Sequence, residues 1–417
     1  MKLALPEFQF RFMAAAGNVI FPGNFHPVGS QRSAEQLVER ALANGKQASA
    51  GSGGIWLVVG GSGGFGSAAR VALGCDLGAH TINLSYDAPP QPESSNKIRK
   101  IGSPAWHRNR AIERKLSALG LQAYTHNADA FDPATRKAVI SGVRERFAGQ
   151  KIAGVIWALA SPRGLDPRSG KTISSALKPL GQPATVKTFA APEGNEGPRI
   201  VEIQIPAGTP EEAVATQYVM GGGIVDLWVR ELLDADLVGP GFRLLTVSYR
   251  GNPLNANIYR NGLIGLAKAD LEFHTQALDA LLRARVGGQA IAVEGPAVVT
   301  ESSGGIPGVP LYMTLISEVM GAAFEDPLDN MRRMVVEHLL PGKSPTLDGE
   351  GLLRMDDREL APAIQEKMAA LYASLQPGAE VSRDAYDRFI RAYSQTRGFN
   401  IEGIDYNAEF DVEDICR

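Results

Sequence analysis

Short apolar runs alternate with segments of helical period along much of the chain. Ile55–Val59 is continuously apolar and reads as a strand, with a helix over about 66–77 after it. Residues 81–86 predict a second strand, 108–119 an amphipathic helix, 122–126 a third strand, 133–147 a helix and 154–159 a fourth strand. Residues 244–249 and 290–294 predict the fifth and sixth, separated by a long helical stretch over about 264–286. Strands that are apolar throughout, joined by helices, imply an α/β fold: a doubly wound, Rossmann-type parallel sheet with helices on both faces.

Between the fourth and fifth strands the rhythm breaks. Residues 186–190 and 199–205 flank Pro192, Glu193, Gly194 and Asn195 and predict a β-hairpin insertion, with one helix over about 210–233 behind it. From about Pro310 the pattern is helical, at 311–320, 327–340, 357–375 and 383–394, and the polar tail 399–410 is expected to lie along the surface. A Gly/Ser-rich loop, 45–54, precedes the first strand. With no repeat and no clear linker, the chain reads as one extended domain of 417 residues: an N-terminal extension over 1–50, a nucleotide-binding and catalytic core over 51–305 with an insertion at about 165–235, and a helical substrate-side extension over 306–417.

Composition narrows the class. A net charge of -3 argues against a nucleic-acid partner. Cys75 and Cys416 give neither a disulfide framework nor metal-ligand spacing, so no metal site is expected. There is no signal-peptide core near Met1, and no apolar run is long enough for stable membrane insertion. The expected location is the cytoplasm.

The first strand ends in Gly60-Gly61-Ser62-Gly63-Gly64-Phe65-Gly66, a G-x-x-x-G-x-G turn running into a helix. Such glycines allow positive φ and close approach of a pyrophosphate, and the helix start offers free N–H groups to the anion. The second strand closes on Tyr86-Asp87. An acid there accepts hydrogen bonds from the adenine ribose and repels a 2′-phosphate, so NAD(H) is favoured over NADP(H). Asp129 and Ala130 follow the third strand and are placed to meet adenine, while Leu159 and Ala160 follow the fourth. After the fifth strand come Tyr249, then Tyr259 and Lys268, a Tyr-x8-Lys spacing. A Tyr there can donate a proton, and a Lys can hold the nicotinamide ribose and lower the Tyr pKa. The spacing puts Tyr259 near a helix start and Lys268 over two turns in. Alone, it does not separate a catalytic pair from a buried aromatic and a solvated helix charge.

Longer stretches carry a resemblance: His26-Pro27-Val28-Gly29, the glycine turn, Asn127-Ala128-Asp129-Ala130-Phe131, Leu159-Ala160-Ser161-Pro162-Arg163, Leu177-Lys178-Pro179, Val219-Met220-Gly221-Gly222, Ser248-Tyr249, Ile258-Tyr259, Ala267-Lys268, Val309-Pro310-Leu311-Tyr312 and Gly403-Ile404-Asp405-Tyr406. Over almost all its length the chain resembles the monomeric trans-2-enoyl-CoA / enoyl-acyl-carrier-protein reductases. The resemblance implies NADH-dependent saturation of the 2,3 double bond of an enoyl thioester on CoA or acyl carrier protein, in fatty acid synthesis, by a monomer. It implies that Tyr259 is the proton donor, that Lys268 contacts NAD and that Tyr249 touches substrate. It places Gly60, Gly61, Ser62, Gly63, Gly64, Phe65, Tyr86, Asp87, Asp129, Ala130, Leu159, Ala160, Val298, Val299 and Thr300 along the cofactor. Departures from the family pattern are Phe65 in place of Tyr, Asp87 in place of Glu, the loop Asn255-Ala256-Asn257-Ile258-Tyr259-Arg260, and Val293-Glu294-Gly295-Pro296, which lacks a usual Lys. They point to an altered acyl substrate. Two other readings stay open: an NAD-dependent carbonyl reductase and a catalytically silent NAD-binding protein.

Of the remaining residues, His26 is expected either at the site or ordering the N-terminal turn. The other histidines read as structural or surface residues. Arg108-Arg110-Glu113-Arg114-Lys115 and Arg144-Glu145-Arg146 read as solvated helix faces, with contact to an acyl carrier protein or a CoA phosphate left open for one of them, and Ser161 lacks a hydrolase context.

Overall fold

The computed structural model describes residues 2–13, 17–43, 48–192 and 194–415. Glu193, Cys416 and part of the 45–54 loop lie outside the described residues. A seven-stranded sheet forms the centre. Its strands in chain order are β1 (Ile55–Val59), β2 (His80–Ser85), β3 (Ala123–Asn127), β4 (Ile152–Trp157), β5 (Val238–Ser248), β6 (Gln289–Glu294) and the two-residue β7 (Leu353–Arg354). In space the order is β7-β6-β5-β4-β1-β2-β3, and every pairing is parallel. The order reverses between β1 and β4, the crevice where ligands bind in such sheets.

The apolar runs are continuous because both sheet faces are covered. Trp56 and Val58 face one core layer with helix Gly64–Leu77, Ala34 and Val38 of helix Pro27–Ala43, and Met331 of helix Pro327–Met334. Ile55, Leu57 and Val59 face the other, with Val139, Trp228 and Leu278. A third layer joins the hairpin Ala184–Phe189/Ile200–Ile205 to the C-terminal helices.

Four expectations change. The helix over 210–233 is two, Pro210–Met220 and Gly223–Asp234, broken where Gly222 packs against helix Leu263–Val286. A Cβ on Gly222 would stand 2.4 Å from His274 Cβ, and Asp270 accepts the Gly222 N–H at 2.8 Å. The helix over 327–340 turns to π geometry over Val335–Leu339. The helix over 357–375 begins only at Pro362, which leaves Glu359 in the preceding turn. The tail is not merely superficial: Phe399 is buried, and Phe410–Asp411 pairs with Lys2–Leu3. His26 is buried beside Phe399, Tyr406 and Phe410 and accepts the Gly29 N–H at 3.0 Å, so it orders the N-terminal turn. Among the described residues no helix is long and apolar enough to cross a membrane.

Candidate active site

The glycine turn is built by what a side chain would forbid. Gly60 has φ +85°, and a Cβ there would stand 2.8 Å from Leu159 Cα. A Cβ on Gly66 would stand 2.1 Å from the Gly60 carbonyl oxygen. The helix Gly64–Leu77 therefore begins directly against the end of β1. Its N-cap, Gly63, supplies no side-chain hydrogen bond, unlike Ser103, Asp132 and Thr209 at other helix starts. This end faces a cavity of about 540 Å³ at the carboxyl edge of the sheet.

The cavity brings together Gly60, Ser62, Gly63, Gly64, Phe65, Tyr86, Asp87, Leu159, Ala160, Tyr249, Tyr259, Lys268, Val298 and Thr300, as the sequence expects. Four expected residues are not on its wall. Gly61 faces inward and donates its N–H to Asn83 Oδ1 at 2.9 Å. The Asp129 carboxylate turns back to the Phe131 N–H at 2.9 Å, and the Ala130 carbonyl accepts the Trp228 indole N–H at 2.9 Å. Val299 packs toward the C-terminal core.

Asp87 is held by a buried polar network. Its Oδ2 accepts from the Ser85 hydroxyl at 2.7 Å and from Asn109 Nδ2 at 2.8 Å. Asn83 links the Gly61 N–H to Ser85 and to Asn109 Oδ1, and the fully buried Arg70 also donates to Asn109 Oδ1, at 2.8 Å. Burial pushes the Asp87 carboxyl up, while the Ser85 hydrogen bond and Arg108 draw it down.

Tyr259 lies in the turn before helix Leu263–Val286, not in it, and Lys268 is in the second helical turn. Gly265 lets that turn fold against the helix, since a Cβ there would meet the Tyr259 carbonyl oxygen at 2.2 Å. The Tyr249 and Tyr259 rings meet edge to face at 4.8 Å. Asn255 Nδ2 donates to the Tyr249 hydroxyl at 3.0 Å, which leaves the phenol proton free to point elsewhere. Burial and the Glu359 carboxylate push the Tyr259 phenol up, the opposite of the lowering by Lys268 expected from the sequence. Tyr249 is raised for the same first reason. Burial lowers the Lys268 ammonium, and Glu294 and Glu272 oppose that.

Sequence reasoning missed several residues. Glu359 is buried behind the tyrosines, accepting from the Tyr312 hydroxyl at 2.6 Å, Asn252 at 3.2 Å and the Ala297 N–H at 2.5 Å. In sequence it hides in the charged run 356–359. Arg108 is not on a solvated face: it is buried, lines the cavity and pairs with Glu301. Arg260, the added charge, turns from the cavity toward Glu272 at 3.6 Å.

Comparison with known proteins adds three matches to family models. Residues 100–340 match a trans-2-enoyl-CoA reductase catalytic region. Residues 15–92 match the NAD(P)H binding domain of trans-2-enoyl-CoA reductase, and 347–410 an enoyl reductase FAD binding domain. A protein of Opitutus terrae named enoyl-acyl-carrier-protein reductase (NADH) is 34% identical over 388 residues, 93% of this chain and 95% of that one. One of the same name from Streptomyces avermitilis is 33% identical over 382 residues, covering 91% and 93%. Among solved structures, a Clostridium acetobutulicum trans-2-enoyl-CoA reductase in complex with NADH superposes with a TM-score of 0.85 at 28% identity, covering 98% of both chains. A Treponema denticola counterpart in complex with NAD gives 0.82 at 28%, covering 97% of both.

The residues fit a nicotinamide dinucleotide: the glycine cradle, the uncapped helix and the acid after β2 open on one cavity. They do not fit a flavin in 347–410. Of that segment only Arg397, among the described residues, lines the cavity, and Met368, Tyr386, Phe389 and Tyr393 are packed into the core.

Proposed function

The chain belongs to the trans-2-enoyl-CoA / enoyl-acyl-carrier-protein reductase family, and from that premise we propose that it is an NADH-dependent enzyme saturating the 2,3 double bond of an enoyl thioester carried on CoA or acyl carrier protein. One observation carries the reading: a glycine turn that tolerates no Cβ opens into the same cavity as Tyr249, Tyr259 and Lys268.

A bound nicotinamide dinucleotide supplies hydride to the substrate β-carbon. The uncapped start of helix Gly64–Leu77 receives its pyrophosphate. Asp87, pre-oriented by Ser85 and Asn109, accepts from the adenine ribose and disfavours a 2′-phosphate. Lys268, buried at the cavity wall, takes the nicotinamide ribose.

As the β-carbon gains hydride, negative charge builds on the thioester oxygen. Tyr259 stays protonated because burial raises its pKa, so it can donate a hydrogen bond to that oxygen. Tyr249, anchored by Asn255, aims a second phenol at the same region. The α-carbon then takes its proton from the Tyr259 phenol, which regains one from solvent. Ile264, Val309 and Met313 form an apolar wall that suits the acyl chain and excludes water. We take residues 306–417 as the substrate-side extension on this account, acting in one unit with the core 51–305 and the N-terminal extension, and monomeric assembly in the cytoplasm as part of the same reading.

NADH absorbance, followed with crotonyl-CoA, a carrier-linked enoyl chain and simple ketones, tests the function. Turnover of the thioesters is expected; oxidation by ketones alone would overturn it. Tyr259→Phe should lower kcat on the order of 100-fold with NADH binding nearly intact. Unchanged turnover removes Tyr259 from the mechanism.

A further inference from the structure

Arg108 and Glu301 form an ion pair at the mouth of the glycine turn, 193 residues apart in sequence. The Arg108 side chain is only 6% exposed. Its Nε donates to the Ser62 carbonyl at 3.0 Å and its Nη1 to the Thr396 carbonyl at 2.7 Å, and the remaining Nη2 goes to Glu301. The guanidinium is thus fixed in place by main-chain oxygens, with one end given to a carboxylate. That carboxylate lies over the turn: a Cβ on Gly63 would stand 2.6 Å from Glu301 Oε1 and 2.8 Å from Oε2. Arg397 approaches from the other side, its Nη2 on the Glu301 carbonyl at 2.8 Å, with Nε buried and without a hydrogen-bond partner among the described residues. All three side chains line the cavity.

A carboxylate beside an uncapped helix start, paired to a buried arginine, stands where an anion is favoured. On the reading of the cavity as a dinucleotide site, the pyrophosphate must come to this same corner. With three of the five Arg108 N–H groups already engaged, the pyrophosphate gains the full charge of that cation only by displacing Glu301. We propose that Arg108 is a cofactor-binding residue that exchanges its partner, releasing Glu301 to bind the pyrophosphate, and that Glu301 is a built-in counter-anion that weakens NADH affinity by competing for it. Glu301 is 27% exposed, so it can swing toward solvent while Arg108 stays anchored on Ser62 and Thr396. The inference deepens the proposed function by assigning a ligand to the diphosphate moiety, and it concerns binding rather than the chemical step.

The test compares wild type, Glu301→Gln, Arg108→Gln and the double variant. NADH and ADP-ribose affinities are read by fluorescence and calorimetric titration, with melting temperature as a control for folding. Glu301→Gln keeps the shape and removes the competing charge. It should tighten NADH and ADP-ribose alike, on the order of three- to tenfold. Arg108→Gln should weaken both, and the gain from Glu301→Gln should vanish in the double variant. A Glu301→Gln enzyme with unchanged or weaker affinity overturns the exchange, because a carboxylate that only positions Arg108 would give loss and never gain. A gain that persists without Arg108 also overturns it, since direct repulsion would then be the cause. Wild-type turnover of enoyl thioesters, measured on the same preparation, separates these failures from failure of the reductase reading.

Discussion

Gly66→Ala tests the physical basis of the cofactor site more sharply than any charged residue, because it adds one methyl group and no new chemistry. The added carbon would lie 2.1 Å from the Gly60 carbonyl oxygen and 2.8 Å from both the Gly60 carbonyl carbon and Gly61 Cα. All three obstacles are backbone, so no rotamer change relieves the clash. Restoring ordinary contact requires the helix start and the end of β1 to separate by about 1 Å. Overpacking of this kind costs roughly 1–3 kcal/mol of stability. The larger effect falls on binding. A shift of that size misaligns the N–H groups at the start of helix Gly64–Leu77, and hydrogen bonds to a charged group are worth about 1.5–3 kcal/mol each. Loss of one or two predicts an NADH dissociation constant raised on the order of 100-fold. Gly149→Ala is the control: φ is +75° there, but no atom lies within 4 Å of its added carbon. It should cost only the local strain of a left-handed alanine, about 1 kcal/mol, and leave NADH binding unchanged. The two variants are compared by NADH titration and calorimetric melting. A folded Gly66→Ala enzyme with wild-type NADH affinity would refute the argument.

Asp87→Asn removes the charge that opposes a 2′-phosphate while keeping the shape of the group held by Ser85 and Asn109. The ratio of kcat/KM for NADPH to that for NADH should rise by roughly tenfold or more, and an unchanged ratio would place cofactor discrimination elsewhere. Glu294 is buried with neither carboxylate oxygen hydrogen-bonded among the described residues. Burial first, then Glu272, pushes it up to about 7 from an ordinary 4.5. The folded chain therefore keeps a proton that the unfolded chain releases, so this stability is fully present below pH 4.5 and is lost as pH rises to about 7. Glu294→Gln should melt progressively higher than wild type across that window and by a constant margin above it. A margin independent of pH between 4.5 and 7 would show that Glu294 does not titrate there.

Six of the central sheet's seven strands were legible, most clearly those buried on both faces; the two-residue Leu353–Arg354 at the edge was not. Ile55–Val59 has no polar residue to disturb the run, and turn chemistry marks both of its ends. The paired segments outside the sheet were not. Lys2–Leu3 finds its partner at Phe410–Asp411, and a two-residue strand carries no period. Helix Pro27–Ala43 does bury Ala34, Val38 and Ala41 at helical spacing, but those residues are small and stand among Gln, Arg and Glu, so the apolar stripe is faint. The break at Gly221-Gly222 depends on Asp270 and His274, on a helix some fifty residues further on. Three consecutive glycines, 221–223, disfavour a helix interior and were a local signal for the break that the sequence reading passed over.

For the site, the line between seen and unseen follows the kind of information each residue carries. Glycines announce themselves because a turn that needs positive φ or a forbidden Cβ constrains residue type locally. Tyr259 and Lys268 were found through their spacing within a longer resemblance. Asn255, Asn109, Glu359, Arg108 and Glu301 act through partners, and only their partners give them meaning. Asn255 matters because Tyr249 is six residues before it across a turn; Asn109 matters because Asp87 is across the sheet edge. Arg108 and Glu359 mislead in sequence, since a charged residue among other charged residues reads as solvated. Burying them has a physical consequence that sequence spacing could not supply. The same desolvation that keeps the Tyr259 phenol protonated also lowers the Lys268 ammonium, and Glu294 and Glu272 favour the charged form of that lysine. The roles proposed for Tyr259 and Lys268 call for a neutral phenol and a cationic amine in one cavity. The buried carboxylates act on the two in different ways: Glu359 reinforces the protonated tyrosine, while Glu272, joined by Glu294 once that group loses its proton near pH 7, supports the lysine charge.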